Sequence, residues 1–182
     1  GITLSEEVRS KFNVTKYSNN VETEITDEGF LKNTLTLGEN PELTEDLYKI
    51  CSTINVSSAE GMNALSTLSP PENAENPGKT FEGKTIILKN NVELDDEYKP
   101  IHTFSGVFDG GGYSIEINAP EIYDSLSPKG KALFYIVKGE NAEIKKLEVS
   151  GTAEGAGIAY TLAEKAKISN CKSGVNITTK NE

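Results

Sequence analysis

Arginine is almost missing from this chain: of 18 basic residues only Arg9 is an arginine. The planar fork that grips carboxylates and phosphates bidentately is therefore denied to everything after position 9. Histidine is nearly as scarce, and His102, between Pro100 and Phe104, has no second imidazole with which to form a zinc site or a hydrolytic triad. It reads as a partly exposed loop side chain. The two cysteines, Cys51 and Cys171, permit one disulfide but lie in dissimilar contexts, and they read as buried unpaired thiols. No run approaches the roughly 20 apolar residues of a membrane span, and the first residues carry neither the basic nor the apolar segment of a signal peptide. Positive charge is in deficit: 28 Asp and Glu against 18 Lys and Arg leave a net charge of −10 and a pI of about 4.7. Such a surface repels a phosphate backbone, so nucleic acid is not an expected partner.

What the chain does have is enough length, 182 residues, for one domain with a sizeable core. Its first third mixes element types. LSEEVRSKF has the N-cap, acidic first turn and apolar spacing of a short helix. VETEIT and FLKNTLTLG alternate with a period near two and predict two short strands. In NPELTEDLYKIC, Leu43, Leu47 and Ile50 share one helical face, with Pro41 suited to the first turn. TINVSS predicts a strand, and SAEGMNALSTL a helix with Met62, Leu65 and Leu68 on its core side and capping-box spacing between Ser57 and Glu60. The proline-rich PPENAENPGK is a surface loop.

From Phe81 onward helical signals vanish and the chain begins to resemble itself. FEGKTIIL echoes FDGGGYSIEI, and LFYIVKGENAEIKKLEVSG echoes IAYTLAEKAKISNCKSG, aligning Tyr135 with Tyr160 and Leu147 with Cys171. These alignments place Ile86, Ile115, Ile144 and Ile168 in equivalent positions, at intervals of 29, 29 and 24 residues. A period of that size without helices predicts a β-solenoid whose coils stack the repeated isoleucine into an internal aliphatic ladder. Asp109 with Gly110, Gly111 and Gly112 then forms a corner, where positive φ is cheap and no side chain obstructs the next coil. A phosphate cradle would require a helix after the glycines, and YSIEI is strand.

The runs FSGVFDGGGYSIEI, ALFYIVKGENAEIKKLEVSGTAEG and AGIAYTLAEKAKISNCKSG, preceded by INVSSAEGMNALSTL, FEGKTIILKNNVEL and YKPI, resemble the GLUG-type repeats of bacterial cell-surface proteins. The resemblance spans about Ile54 to Thr179; it departs where the glycine after the Leu-Phe pair is Tyr135, and where the glycine pair before the final unit is broken as GAGIAY. It implies a mainly β fold, a right-handed parallel β-helix of the pectate-lyase type, here with about three to four coils. Residues 1–53 are expected to form a small N-terminal α/β attachment, and 54–182 the β-helix domain, its first coil covered by the Met62 helix. It also implies an extracellular, surface-borne, adhesin-like module that binds a glycan or an extracellular protein, or acts as a spacer, without catalytic, metal or cofactor residues.

The competing reading is a polysaccharide lyase or glycosidase on the same scaffold. Asp95, Asp96 and Glu97 form a carboxylate run, with Asp109 or Glu116 as a second acid, but a lyase also wants a cationic base and the repeat region has no arginine. Tyr98, Tyr113, Tyr123, Tyr135 and Tyr160 are candidates for a sugar-stacking face, although the equivalence of Tyr135 and Tyr160 favours stacking within the fold. Val175 and Ile177 lead into the last strand with nothing after them to shield it, so continuation into further coils or self-association is expected at that edge.

Overall fold

The computed structural model describes residues 20–25, 31–70, 78–118, 132–153 and 155–177. The helix expected over 4–12, Tyr123, and the 71–77 part of the proline-rich loop lie outside them. The described chain is mainly β and built from three sheets. A first, seven-stranded sheet has the order β1 (Val21–Ile25), β2 (Leu31–Leu37), β3 (Thr53–Val56), β4 (Thr85–Leu88), β7 (Val107–Asp109), β10 (Glu143–Lys145), β13 (Lys167–Ser169). The second contains β5 (Val92–Leu94), β8 (Ser114–Asn118), β11 (Glu148–Ala153) and β14 (Lys172–Ile177); the third contains β6 (Ile101–Phe104), β9 (Phe134–Lys138) and β12 (Ala159–Ala163). From β4 onward the chain visits the three sheets in strict rotation, and from β7 onward every described strand pairs in parallel with the strand three places earlier. Among the described strands only the β1–β2 pair is antiparallel.

Inward positions form continuous rows. In the first sheet Leu35, Ile54, Ile86, Phe108, Ile144 and Ile168 are consecutive register partners, and all but Ile168 are fully buried. In the second sheet Val92, Ile115 and Val149 form another row, and in the third Phe104, Val137 and Leu162 do the same. Phe81, Phe104, Phe108 and Phe134 meet along the centre with ring centroids 5.0 to 6.4 Å apart. Burial of this kind supplies roughly 25 cal/mol per Å² of apolar surface and dominates the stability.

The expected isoleucine ladder is thus corrected at one member. Ile86, Ile144 and Ile168 share the first sheet, but Ile115 is buried in the second, and Phe108 occupies the rung between Ile86 and Ile144. The cause lies in the corners: FEG precedes its strand, β4, whereas DGGG follows its strand, β7, so the two acidic-glycine motifs sit at different corners. Nor does the sheet break near residue 53. β2 pairs with β3 and β3 with β4, so the described part of the N-terminal segment is continuous with the rest of the first sheet.

Among the described residues two helices pack at the N-terminal end. α1 (Glu45–Ile50) starts at Thr44, whose hydroxyl accepts from Leu47 N at 3.2 Å, so Pro41 precedes the helix rather than opening it. α2 (Ala59–Leu68) is capped by Ser58, not Ser57: Ser57 N still donates to Leu37 O, extending the strand ladder, and Ser58 Oγ accepts from Gly61 N at 3.0 Å. α2 buries Met62 and Leu65 against β5 and β6. Its C-terminus also satisfies the edge of β6, since Ser69 O accepts from His102 N and Ser69 Oγ donates to Thr103 O.

Candidate functional site

The glycine corner between β7 and β8 is made by local chemistry. Asp109 Oδ1 accepts from Gly111 N at 2.9 Å, and Gly111 and Gly112 have φ of +60° and +84°. That left-handed region favours glycine because a Cβ crowds the backbone there. Gly110 is needed for a different reason: a Cβ at that position would lie 2.4 Å from Lys146 O on the next turn of the chain. The same corner in the following two turns is tighter and holds Lys146 and Asn170, each at φ +51°.

Bare glycines beside bulkier corners leave a shallow groove of about 350 Å³, lined by Gly111, Gly112, Lys146, Glu148, Asn170 and Lys172 among others. Lys172 Nζ lies 2.8 Å from Glu148 Oε1, and on the neighbouring face Lys145 Nζ is 3.9 Å from Asp109 Oδ2. The amides at the glycines do not form an anion nest, because Gly112 N donates to Lys146 O while Gly111 N is held by Asp109. What the groove offers is ammonium groups, a carboxylate and an amide on an otherwise acidic molecule: hydrogen-bonding chemistry for a polar polymer. Glu148, Asn170 and the three lysines were not singled out by the sequence pattern. The signal that marks the corner is the register equivalence of Lys146 and Asn170, which follows from pairing Ile144 with Ile168.

The other candidates are dispersed. Asp95, Asp96 and Glu97 form the turn after β5, where Asp95 Oδ1 accepts from Glu97 N at 3.0 Å. Glu116 stands on the outer side of the second sheet opposite Glu93, while Asp109 ends a strand of the first. His102, Tyr135 and Tyr160 are register partners on the third sheet: His102 lies 5.1 Å from Tyr135, and Tyr135 stacks on Tyr160 at 5.4 Å with the rings 7° from parallel. His102 Nδ1 is also 3.1 Å from Thr103 Oγ1. Tyr98 is fully buried, donates to Leu133 O at 3.0 Å, and has its hydroxyl pKa raised by that burial. Tyr113 is exposed at the glycine corner.

Both cysteines are free thiols. Burial pushes the Cys51 thiol up to about 11, opposed by the nearby Lys84 ammonium, and burial also raises Cys171. Lys84, 4.4 Å above the Tyr48 ring and bonded to Cys51 O at 3.1 Å, is itself lowered by desolvation. This knot joins α1 to β4 and is structural. Among the described residues no group of three or more His, Cys, Asp or Glu side chains is placed to hold a metal ion, and no helix is long and apolar enough to cross a membrane. Comparison with known proteins finds no matching family model, curated protein or solved structure.

Proposed function

We propose that this chain is a non-catalytic module of the bacterial cell surface, a right-handed parallel β-helix of the GLUG-repeat kind that presents its corner groove to a surface glycan or an extracellular protein. The observation that carries this reading is the use of the acids that an enzyme on such a scaffold would need. Asp95 and Asp109 are each tied into a turn by a backbone amide, at 3.0 and 2.9 Å, and they stand at the ends of strands in different sheets. A glycosidase needs its two carboxyls roughly 5 to 9.5 Å apart on either side of one bond, and a lyase needs a base beside its acids. Asp95 and Asp109 are spent on separate corners, and Lys145, 3.9 Å from Asp109, is paired with that single acid; this arrangement favours binding over cleavage. The three-sheet rotation supports the β-helix, and an extracellular setting accords with the repeat resemblance.

A glycan array, read alongside viscometric and reducing-end assays on the same polysaccharides, tests the proposal. Binding without cleavage is expected, weakened by Lys146→Glu and Lys172→Glu. Cleavage that Asp109→Ala abolishes, or a strong rise in melting temperature with millimolar calcium, would establish the enzyme instead.

A further inference from the structure

Lys146 turns the chain from β10 to β11 at φ +51°, a left-handed conformation that strains a side chain bearing a Cβ. The same corner is made by glycines one turn earlier and one turn later by Asn170, residue types that accept this backbone more readily. Strain of this kind is characteristic of positions whose side chain has a use. The Lys146 ammonium has no carboxylate partner among the described residues, whereas Lys145 is 3.9 Å from Asp109 and Lys172 is 2.8 Å from Glu148. Its surroundings are locally basic: residues 132–177 hold six lysines and five acids in a chain of net charge −10. Tyr113 stands beside it with 39% of its surface exposed. The ring lies over bare Gly111, where an added Cβ would come 3.4 Å from Tyr113 Cδ2, and Tyr113 O accepts from Glu148 N at 3.3 Å. The strands that flank both residues, β7, β8, β10 and β11, have partners on either side, so Lys146 and Tyr113 are exposed on the flank of the stack and not at its end.

We propose that this corner is a subsite for one acidic residue of an anionic glycan, whose carboxylate or sulfate meets the Lys146 ammonium while its C–H face lies on the Tyr113 ring. The inference rests on the reading of the groove as the ligand-presenting site, and it names the ligand class. An ammonium on a flexible stem is a point charge that serves a carboxylate and a sulfate ester alike. An exposed aromatic ring offers an apolar face to a sugar and has a polar tip of its own. The Lys172 and Glu148 pair is already neutral, so with the Asn170 amide it supplies donors and acceptors for hydroxyl groups and leaves Lys146 as the charge that selects. A neutral glycan would leave that charge unused, and an acidic peptide has no sugar face to lay on Tyr113. A shallow groove also suits an interior residue of a polymer, because the neighbouring sugars leave over its rim.

Calorimetric titration with hyaluronan, dextran sulfate, unmodified dextran and polyglutamate tests this. Binding of hyaluronan or dextran sulfate is expected, at least about tenfold tighter than dextran or polyglutamate and weakened by added salt. Hyaluronan alone would assign the subsite to a carboxylate, and dextran sulfate alone to a sulfate ester. Lys146→Gly should weaken binding about tenfold, the worth of one charge-assisted hydrogen bond, and Tyr113→Ala about fivefold. Lys146→Gly should also raise the melting temperature by relieving the φ +51° strain, so affinity and stability move in opposite directions, which a purely structural lysine would not do. Lys165→Gly is the matched control: it removes the same charge from a left-handed lysine, at φ +64° and another corner, and should leave affinity unchanged. Equal affinity for dextran or polyglutamate, or anionic-glycan binding that Lys146→Gly does not weaken, would overturn the inference. A neutral glycan bound at the groove through Lys172 would overturn it and leave the binding module standing, whereas cleavage of any of these polymers would overturn both.

Discussion

Removing the Phe108 side chain is the most incisive perturbation of this fold, because that ring occupies the rung at which sequence alignment and structure part company. Phe108 is fully buried between Ile86 and Ile144, with the Phe134 ring 5.4 Å away, edge-on, and the Phe104 ring at 6.4 Å. Phe→Ala at such a site costs about 3 to 5 kcal/mol through lost transfer energy and a residual cavity. That is a large share of a typical stability of roughly 5 to 15 kcal/mol, and for a chain of this size it lowers the melting temperature by roughly 6 to 20 °C. Urea titration followed by circular dichroism and by tyrosine fluorescence measures the loss directly. The register is tested by double-mutant cycles with Ile144→Val. Phe108 and Ile144 are adjacent rungs and should couple by about 0.5 to 3 kcal/mol, whereas Ile115, whose neighbours are Val92 and Val149, should couple to Ile144 more weakly. Stronger coupling of Ile115 than of Phe108 would refute the register and restore the four-isoleucine ladder.

Lys146 holds φ +51° without being glycine, so Lys146→Gly should stabilise by about 1 kcal/mol, the relieved strain less the added chain entropy, seen as a higher melting temperature. Conversely, Gly112→Ala meets open space and should cost only the backbone strain of φ +84°, whereas Gly151→Ala would drive its Cβ to 2.2 Å from Ile117 O and should cost several times more in the same assay. Lys145→Ala should lower stability by less than about 1 kcal/mol, since its contact with Asp109 is long at 3.9 Å and partly solvated, whereas Ile144→Asp should be severely destabilising through an unpaired buried charge. The Cys51 thiol has its folded pKa raised from 9.0 to about 11, so the folded form keeps its proton where the unfolded chain has lost it; the resulting stabilisation is complete below pH 9 and disappears as pH rises to 11. Cys51→Ala should flatten that stretch of the stability–pH curve, and a thiol reagent should label Cys171 well before Cys51.

The last two turns were legible because they differ in length by a single residue: aligning Tyr135 with Tyr160 and Ile144 with Ile168 reproduces the register that the strands make. Earlier turns were obscured by chemistry that looks alike at both ends of a strand. Phe81-Glu82-Gly83 and Phe108-Asp109-Gly110 satisfy the same local demand for an acidic residue beside a glycine, so one-dimensional matching slides β4 past its true partner by a whole corner. Residues 119–131, interposed between β8 and β9, stretch the period at the point where the alignment had to choose. The one-residue displacement of the α2 cap has a tertiary origin, since Leu37 O claims the amide of Ser57. Of the candidate site, the glycine corner was visible from composition, but the groove beside it depends on lysine and asparagine corners that have no distinctive local pattern.

Because each strand from β4 onward pairs only with its counterparts one turn earlier and one turn later, the free energy of the stack is close to a chain of nearest-neighbour terms. Such a chain melts from whichever terminus is least secured. Amide exchange should therefore be graded along the stack: slowest in β4, β7 and β8, which have partners on both sides, and fastest in β12, β13 and β14, which among the described strands have them on one.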